Sequence, residues 1–138
     1  MNRELKFRIW NTLMKRWLCE DSQYLQMDGK KVHAAPWSTM EWDIPSEQFV
    51  VQQFTGEYDK NKKEIYEGDV INFDYLDGEK TATGVVQYNN SYCAYVIDSD
   101  IGTIAIMNIS LDSLEVIGNM VEDYTWNEEG TELIRQTK

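Results

Sequence analysis

The chain opens on an alternation of apolar and charged positions. Leu5, Phe7 and Ile9 are apolar and Lys6 and Arg8 between them are charged. Successive side chains of a strand point to opposite faces, so this period predicts a strand with one buried side. Trp10 breaks the period and marks the strand end, and Trp17-Leu18-Cys19 supplies a hairpin partner after a turn near Asn11-Thr12. Tyr24-Leu25-Gln26-Met27 reads as a third short strand, closed by the turn dipeptide Asp28-Gly29. From Ala34 to Pro45, two prolines and two tryptophans (Trp37 and Trp42) interrupt any period, which predicts a loop. Residues 1–45 are thus expected to form a β-meander arm that ends in this Pro/Trp loop.

Glu47 to Phe54 is strand-like, although Glu47 to Gln53 also fits a short helix, and Glu57 to Lys63 is a charged loop. The pattern then sharpens. Val70 to Tyr75 and Thr83 to Tyr88 flank Leu76-Asp77-Gly78-Glu79, two strands about an Asp-Gly turn. Asn89-Asn90-Ser91 turns into Tyr92 to Ile97, and Asp98 to Gly102 turns into Thr103 to Met107. Leu111-Asp112-Ser113 predicts a single 3₁₀ turn before a last strand within Leu114 to Val121. Short strands recurring at about ten-residue spacing, without helical periods between them, predict a small antiparallel barrel. The fold class expected is mainly β: a partly closed, SH3-like barrel over residues 46–122, preceded by the N-terminal β arm. Closure is favoured because it hides sheet edges. Residues 123–138 form a polar tail in which Glu128 to Arg135 fits a short helix or a frayed end.

Composition narrows the class. The 138 residues, 42% hydrophobic and 12% aromatic with 5 Trp and 8 Tyr, suit one small globular protein and exclude general disorder. No apolar run approaches the roughly 18–20 residues that cross a bilayer, and the first eight residues carry no apolar signal core. A cytoplasmic protein is expected, with no membrane partner. Cys19 and Cys93 form no C-x-x-C pair, so they are expected as reduced thiols. The net charge is −11 and uneven: residues 1–69 hold 10 basic and 12 acidic groups, residues 70–138 hold 3 and 12. Such an acidic half repels a phosphate backbone. It keeps the chain soluble or faces a basic partner.

Catalytic chemistry finds little to work with. His33 is the single histidine, and neither metal-ligand nor triad spacing surrounds it. Asp98-Ser99-Asp100 resembles the start of a calcium loop, but Thr103 and Ile109 occupy the positions where an EF-hand needs Gly and Glu. Glu64, Glu67 and Asp69 cluster about Gly68. The structural reading is preferred: Gly68 makes a tight turn and Asp69 accepts backbone N–H groups. No phosphate-binding glycine loop occurs. Catalytic residues, metal ligands and cofactors are therefore all expected to be none, and the protein is expected not to be an enzyme. One region is basic: Arg3, Lys6, Arg8, Lys15 and Arg16 against Glu4, with Trp10 and Trp17 among them. Cations interleaved with aromatics suit single-stranded nucleic acid. Arg3, Lys6, Arg8, Trp10 and Trp17 are the candidate contacts. The competing reading is a solvated strand face with the two tryptophans in the core.

Three stretches also carry a resemblance. Leu5-Lys6-Phe7-Arg8-Ile9-Trp10-Asn11 is close to an opening K-F-R-A-W-D. Gln53-Phe54-Thr55-Gly56, then Asp59-Lys60-Asn61-Lys62-Lys63-Glu64-Ile65-Tyr66-Glu67-Gly68-Asp69-Val70, is close to Q-Y-T-G-L-x-D-K-N-G-K-E-I-Y-E-G-D. Glu115-Val116-Ile117-Gly118-Asn119-Met120-Val121-Glu122 is close to E-V-I-G-N-I-Y-E. In this order and spacing they resemble the YopX family of small phage and prophage proteins of low-GC Gram-positive bacteria. Ile9 and Asn11 stand where the family has Ala and Asp, which a strand end tolerates. Lys62 stands where the family has a glycine, in a turn that asks for φ > 0, and Asn61 is the alternative residue for that conformation.

The resemblance implies a mostly β fold, a phage setting in a bacterial host cell and no particular biochemical activity. It carries over no catalytic residue. It singles out Phe7, Trp10, Thr55, Gly56, Asp59, Tyr66, Gly68, Asp69, Gly118 and Asn119 as motif positions with mainly structural roles. The expected function is that of a non-enzymatic binding protein acting through protein–protein contacts on an unidentified protein partner. A nucleic-acid-binding accessory module is the alternative. Four of the five tryptophans fall in the first 42 residues, which places an expected homo-oligomer contact on the N-terminal arm.

Overall fold

A computed structural model describes residues 4–17, 23–28, 31–36 and 49–136. The chain divides into two compact units, Lys6–Gln53 and Phe54–Lys138 with Met1–Leu5. Every strand pairing among the described residues is antiparallel. The protein is mainly β and barrel-like, with one sheet forming a half-barrel.

In the smaller unit, β1 (Phe7–Asn11) pairs on one side with β2 (Arg16–Trp17) and on the other with the first half of β5 (Phe49–Tyr58). The β1–β2 turn is built by one side chain. Asn11 Oδ1 accepts the backbone N–H groups of Leu13 and Met14 at 3.0 and 2.9 Å, the local bonding that makes Asn a turn residue. Ile9, Trp10 and Phe49 are buried. A separate hairpin joins β3 (Gln23–Asp28) to β4 (Lys31–Pro36), in register from Gln23↔Pro36 to Asp28↔Lys31.

In the larger unit, the end of β5 pairs with β6 (Glu64–Tyr66). A five-stranded sheet follows in the order β10-β9-β8-β7-β11. Its strands are β7 (Asp69–Tyr75), β8 (Lys80–Asn89), β9 (Ala94–Ser99), β10 (Gly102–Ala105) and β11 (Glu115–Asn119). Ile71 and Phe73 on β7 and Ala82 and Val86 on β8 have the period-2 spacing of one face. With Ile65, Ile97, Ile106 and Leu114 they form the core. Burying a Val, Leu, Ile or Phe stabilises the fold by roughly 1.5–3 kcal/mol each. Gly84 sits in this layer because nothing larger fits: a Cβ there would meet Ile97 Cγ2 at 2.6 Å and the Asp98 carbonyl at 2.7 Å. β11 returns to pair with β7, with a bulge between Val116 and Gly118. The chain ends in a hairpin of β12 (Tyr124–Trp126) and β13 (Leu133–Arg135).

Several expectations need correction. Ala34–Pro36 is the end of a strand, so the loop reading does not hold there, and His33 lies on β4 opposite Gln26. Ala and Pro are poor strand formers, and cross-strand pairing overrides that local preference. Residues 37–45 of the expected loop lie outside the described residues, as do Arg3 and Cys19. Phe49 onward is strand and not helix, and it runs to Tyr58, past the expected loop start at Glu57. The tail reading of a helix over Glu128 to Arg135 is also overturned, since Leu133–Arg135 pairs with Tyr124–Trp126. Gly130, at φ 71° in the turn between them, is a residue that helices disfavour and tight turns require. The Asp77-Gly78 hairpin and the 3₁₀ turn Leu111–Ser113 stand where the pattern puts them, and a second 3₁₀ turn, Ile106–Asn108, cuts the strand expected through Met107 short.

Candidate functional site

The motif residues of the larger unit converge on two buried carboxylates. Gly56, at φ 92°, bends β5 within the irregular stretch between Phe54 and Tyr58. Thr55 fixes that bend by donating its hydroxyl to the Ile65 carbonyl at 2.8 Å and accepting the Glu57 N–H at 3.2 Å. Asp59 then accepts the N–H groups of Asn61 (2.8 Å) and Lys63 (2.9 Å) on one oxygen and that of Val116 (3.0 Å) on the other. Burial opposes the Asp59 charge, but the backbone bonds from Val116, Lys63 and Asn61, with the nearby Lys63 charge, outweigh it and hold the carboxyl below its ordinary value. Lys62, not Asn61, takes the left-handed conformation of this turn, at φ 66°.

Asp69 forms the second centre, 1% exposed. One oxygen accepts the Tyr66 N–H at 2.8 Å across the turn that Gly68 makes at φ 82°. The other accepts the Asn119 side-chain amide at 2.9 Å. Asn119 in turn accepts the Val121 N–H at 3.0 Å and donates its own N–H to Asp123 at 3.1 Å. Tyr66 is buried with its ring tilted against Phe54, the centroids 5.6 Å apart. Both carboxylates are thus spent on holding β11 to the turns before β7. Glu64 and Glu67 beside them are half-buried.

The basic aromatic strand has a different geometry. Trp10 is 7% exposed and meets Trp17 edge-on at 5.1 Å. The Arg8 guanidinium lies 4.4 Å from the centre of the Trp17 ring, and its Nε donates to Gln52 Oε1 at 3.0 Å. Phe7 and Lys6 are half-buried beside them. Arg8, Trp10 and Trp17 are therefore brought together, but as a packed cluster, not as an open row of rings.

Sequence reasoning missed a third feature, a cleft of about 410 Å³ within the larger unit. Its floor is the sheet face away from the core, where Thr83 and Asn72 pair across β8 and β7 and the Thr83 hydroxyl donates to Asn72 Oδ1 at 2.5 Å. Its wall is the C-terminal hairpin. Tyr124, Trp126 and Leu133 share one face there by register, and Ile117, Asp100, Thr131 and Glu132 complete the lining. Gly118 lets the wall approach, since a Cβ at that position would stand 2.6 Å from the Tyr124 ring and 2.9 Å from an Asp123 oxygen. Asn127 closes the hairpin turn by accepting the N–H groups of Thr131 and Glu132 at 2.9 and 3.3 Å. The volume falls in the range of small-ligand and side-chain sites. A smaller cavity of about 150 Å³ lies between Thr55, Glu57, Ala94, Tyr95, Ile106 and Met107.

Among the described residues, no three His, Cys, Asp or Glu side chains converge as metal ligands. Asp98 and Ser99 bond within their own turn, Asp98 to the Thr103 hydroxyl at 3.3 Å and Ser99 to the Gly102 carbonyl at 2.7 Å. No helix of the described residues is long and apolar enough to cross a membrane.

Comparison with solved structures finds the same fold. The crystal structure of protein yopX from Bacillus subtilis has a TM-score of 0.59 at 13% identity, covering 85% of this chain and 93% of the other. The crystal structure of protein EF1440 from Enterococcus faecalis has a TM-score of 0.53 at 22% identity, covering 88% and 96%. Among curated proteins none matches. The family described as YopX protein matches residues 6–124, which take in all three motif stretches except Leu5, and the chain belongs to the YopX family.

Proposed function

We propose that this chain is a phage- or prophage-encoded, non-enzymatic binding protein that works through protein–protein contacts in the cytoplasm of its bacterial host. The observation supporting this is the cleft walled by Tyr124 and Trp126. Half-buried aromatic rings on a concave surface are the residue type that anchors interfaces. The buried carboxylates that acid–base chemistry would need are instead committed to Tyr66, Asn61, Lys63, Val116 and Asn119. Affinity capture from host cells with the natural chain and with Trp126→Leu tests the reading. A defined protein recovered by the first and lost by the second supports it. Identical captures by both, or turnover of a metabolite, overturn it.

The nucleic-acid reading, through Arg3, Lys6, Arg8, Trp10 and Trp17, is the weaker one. Trp10 is buried and one ring face of Trp17 already carries Arg8, which leaves few rings for bases to stack on. It demands binding that falls steeply with salt, so a chain not retained by single-stranded or duplex nucleic acid at low salt would remove it. Self-association belongs on the smaller unit, where Leu13 and Met14 expose apolar side chains at the β1–β2 turn.

A further inference from the structure

We infer that the cleft between the sheet and the C-terminal hairpin takes an arginine side chain presented by a partner protein. This names the partner chemistry of the site proposed above and rests on that reading. Three observations carry it. Two of the lining side chains, Asp100 and Glu132, are carboxylates and none is a base. Arg135, the one base of the hairpin, pairs in register with Tyr124 but does not line the cleft. Two more are aromatic, Tyr124 and Trp126, both half-buried, so part of each ring faces the open volume.

The chemistry of these groups selects among guests. An aromatic face attracts a cation, and the planar guanidinium stacks on it with little loss of hydration. Its charged fork of N–H donors also fits carboxylates, which a neutral amide meets without charge and an aliphatic side chain does not meet at all. Asn72 and Thr131 add neutral polar side chains to the lining. An anionic guest would meet Asp100 and Glu132 directly, inside a half of the chain that carries 12 acidic and 3 basic groups. A purely apolar guest would bury those carboxylates unpaired, at a cost.

The experiment is an NMR titration of the full chain with acetyl-Gly-Gly-Arg-Gly-Gly-amide, following the Trp126 indole N–H. The matched control peptide carries citrulline, which keeps the shape of arginine and lacks its charge. Saturable displacement of the Trp126 signal by the arginine peptide alone is expected. Glu132→Gln should weaken it about tenfold, the loss of one charge-assisted contact. Trp126→Leu should weaken binding read at the Asn72 and Thr131 amides. Asp77→Asn, on the β7–β8 turn and outside the cleft lining, should leave binding unchanged. Equal binding of the citrulline peptide, an unmoved Trp126 signal, or equal loss in Asp77→Asn and Glu132→Gln each overturn the inference, the last by showing only general attraction to an acidic surface. If Trp126-dependent capture in cells persists while the arginine peptide fails, the arginine assignment falls and the docking reading stands.

Discussion

Asp69 and Asn119, fifty positions apart, meet in a buried bond of 2.9 Å between carboxylate and amide. It ties the last strand of the five-stranded sheet to the first residue of its neighbour. Each partner has a second, local duty: Asp69 accepts the Tyr66 N–H and Asn119 accepts the Val121 N–H. Asn119→Ala therefore removes a donor to the Asp69 carboxylate and the acceptor of the Val121 N–H at once. Leaving buried groups unsatisfied costs about 1–3 kcal/mol, and a loss of about 2 kcal/mol is expected. Urea unfolding should show a lower midpoint with an unchanged slope.

Asp59 makes stability depend on acid. Its folded carboxyl is held below its ordinary value of 3.8, so the folded state binds this proton more weakly than the unfolded state. The stabilisation is complete above that value and drains away as pH falls below it. Unfolding followed from pH 6 down to pH 2 should show this loss. Asp59→Asn should start less stable at neutral pH, because its amide nitrogen faces backbone donors, and should change less over the same window. An equal acid slope in both proteins would place the titration elsewhere.

Lys62 holds a left-handed backbone, φ 66°, in the turn where the resemblance places a glycine. A side chain costs roughly 1–2 kcal/mol there, and glycine gives part of that back through its freer unfolded chain. Lys62→Gly is expected to stabilise the protein by about 0.5–1 kcal/mol, read as a raised midpoint in thermal unfolding. Destabilisation would mean that the lysine side chain contributes contacts that outweigh the strain.

Gly118→Ala places a methyl group 2.6 Å from the Tyr124 ring. The ring must move, and forcing an extra methyl into a packed site costs about 1–3 kcal/mol. The hairpin carrying Trp126 should shift with it, so tryptophan emission and the Trp126 indole resonance are expected to change while the β7–β8–β9 amides keep their positions. A change spread evenly over the sheet would contradict this local account.

Leu13 and Met14, exposed at the β1–β2 turn, are the residues on which self-association is expected to turn. Light scattering at micromolar concentration should give more than a monomer mass, and Leu13→Glu with Met14→Glu should return the monomer. A monomer from the natural chain ends the proposal. Deleting residues 1–45 is a poorer test, because it removes β1 and leaves the first half of β5 without its partner.

Local chemistry was legible in the chain and distant pairing was not. Asp77-Gly78 and Leu111-Asp112-Ser113 specify their turns with residues a few positions apart, and both stand as expected. The motif stretches mark Asp59 and Asp69 as special, but the Val116 and Asn119 donors they reach lie 57 and 50 positions on. β4 escaped because Ala34-Ala35-Pro36 has no strand preference of its own and is held by Gln23 to Leu25 opposite. The cleft escaped for a related reason. Trp126 and Glu132 read as tail residues until the hairpin turn at Asn127 and the bare surface of Gly118 bring them over Asn72 and Thr83.

The return of β11 to β7 has a consequence for the nascent chain. Hairpins β7–β8, β8–β9 and β9–β10 join neighbours in sequence and can zip as soon as each leaves the ribosome. The free side of β7 must wait until Glu115–Asn119 emerges. Through that interval a row of unpaired N–H and C=O groups from Asp69 to Asn72 is open to any other strand. Domains form vectorially during synthesis at roughly 5–20 residues per second, so the exposure lasts seconds. A chain arrested before residue 115 would keep that row open permanently and should collect in aggregates, whereas one arrested after Asp123, with both clamps to Asp59 and Asp69 in place, should stay dispersed.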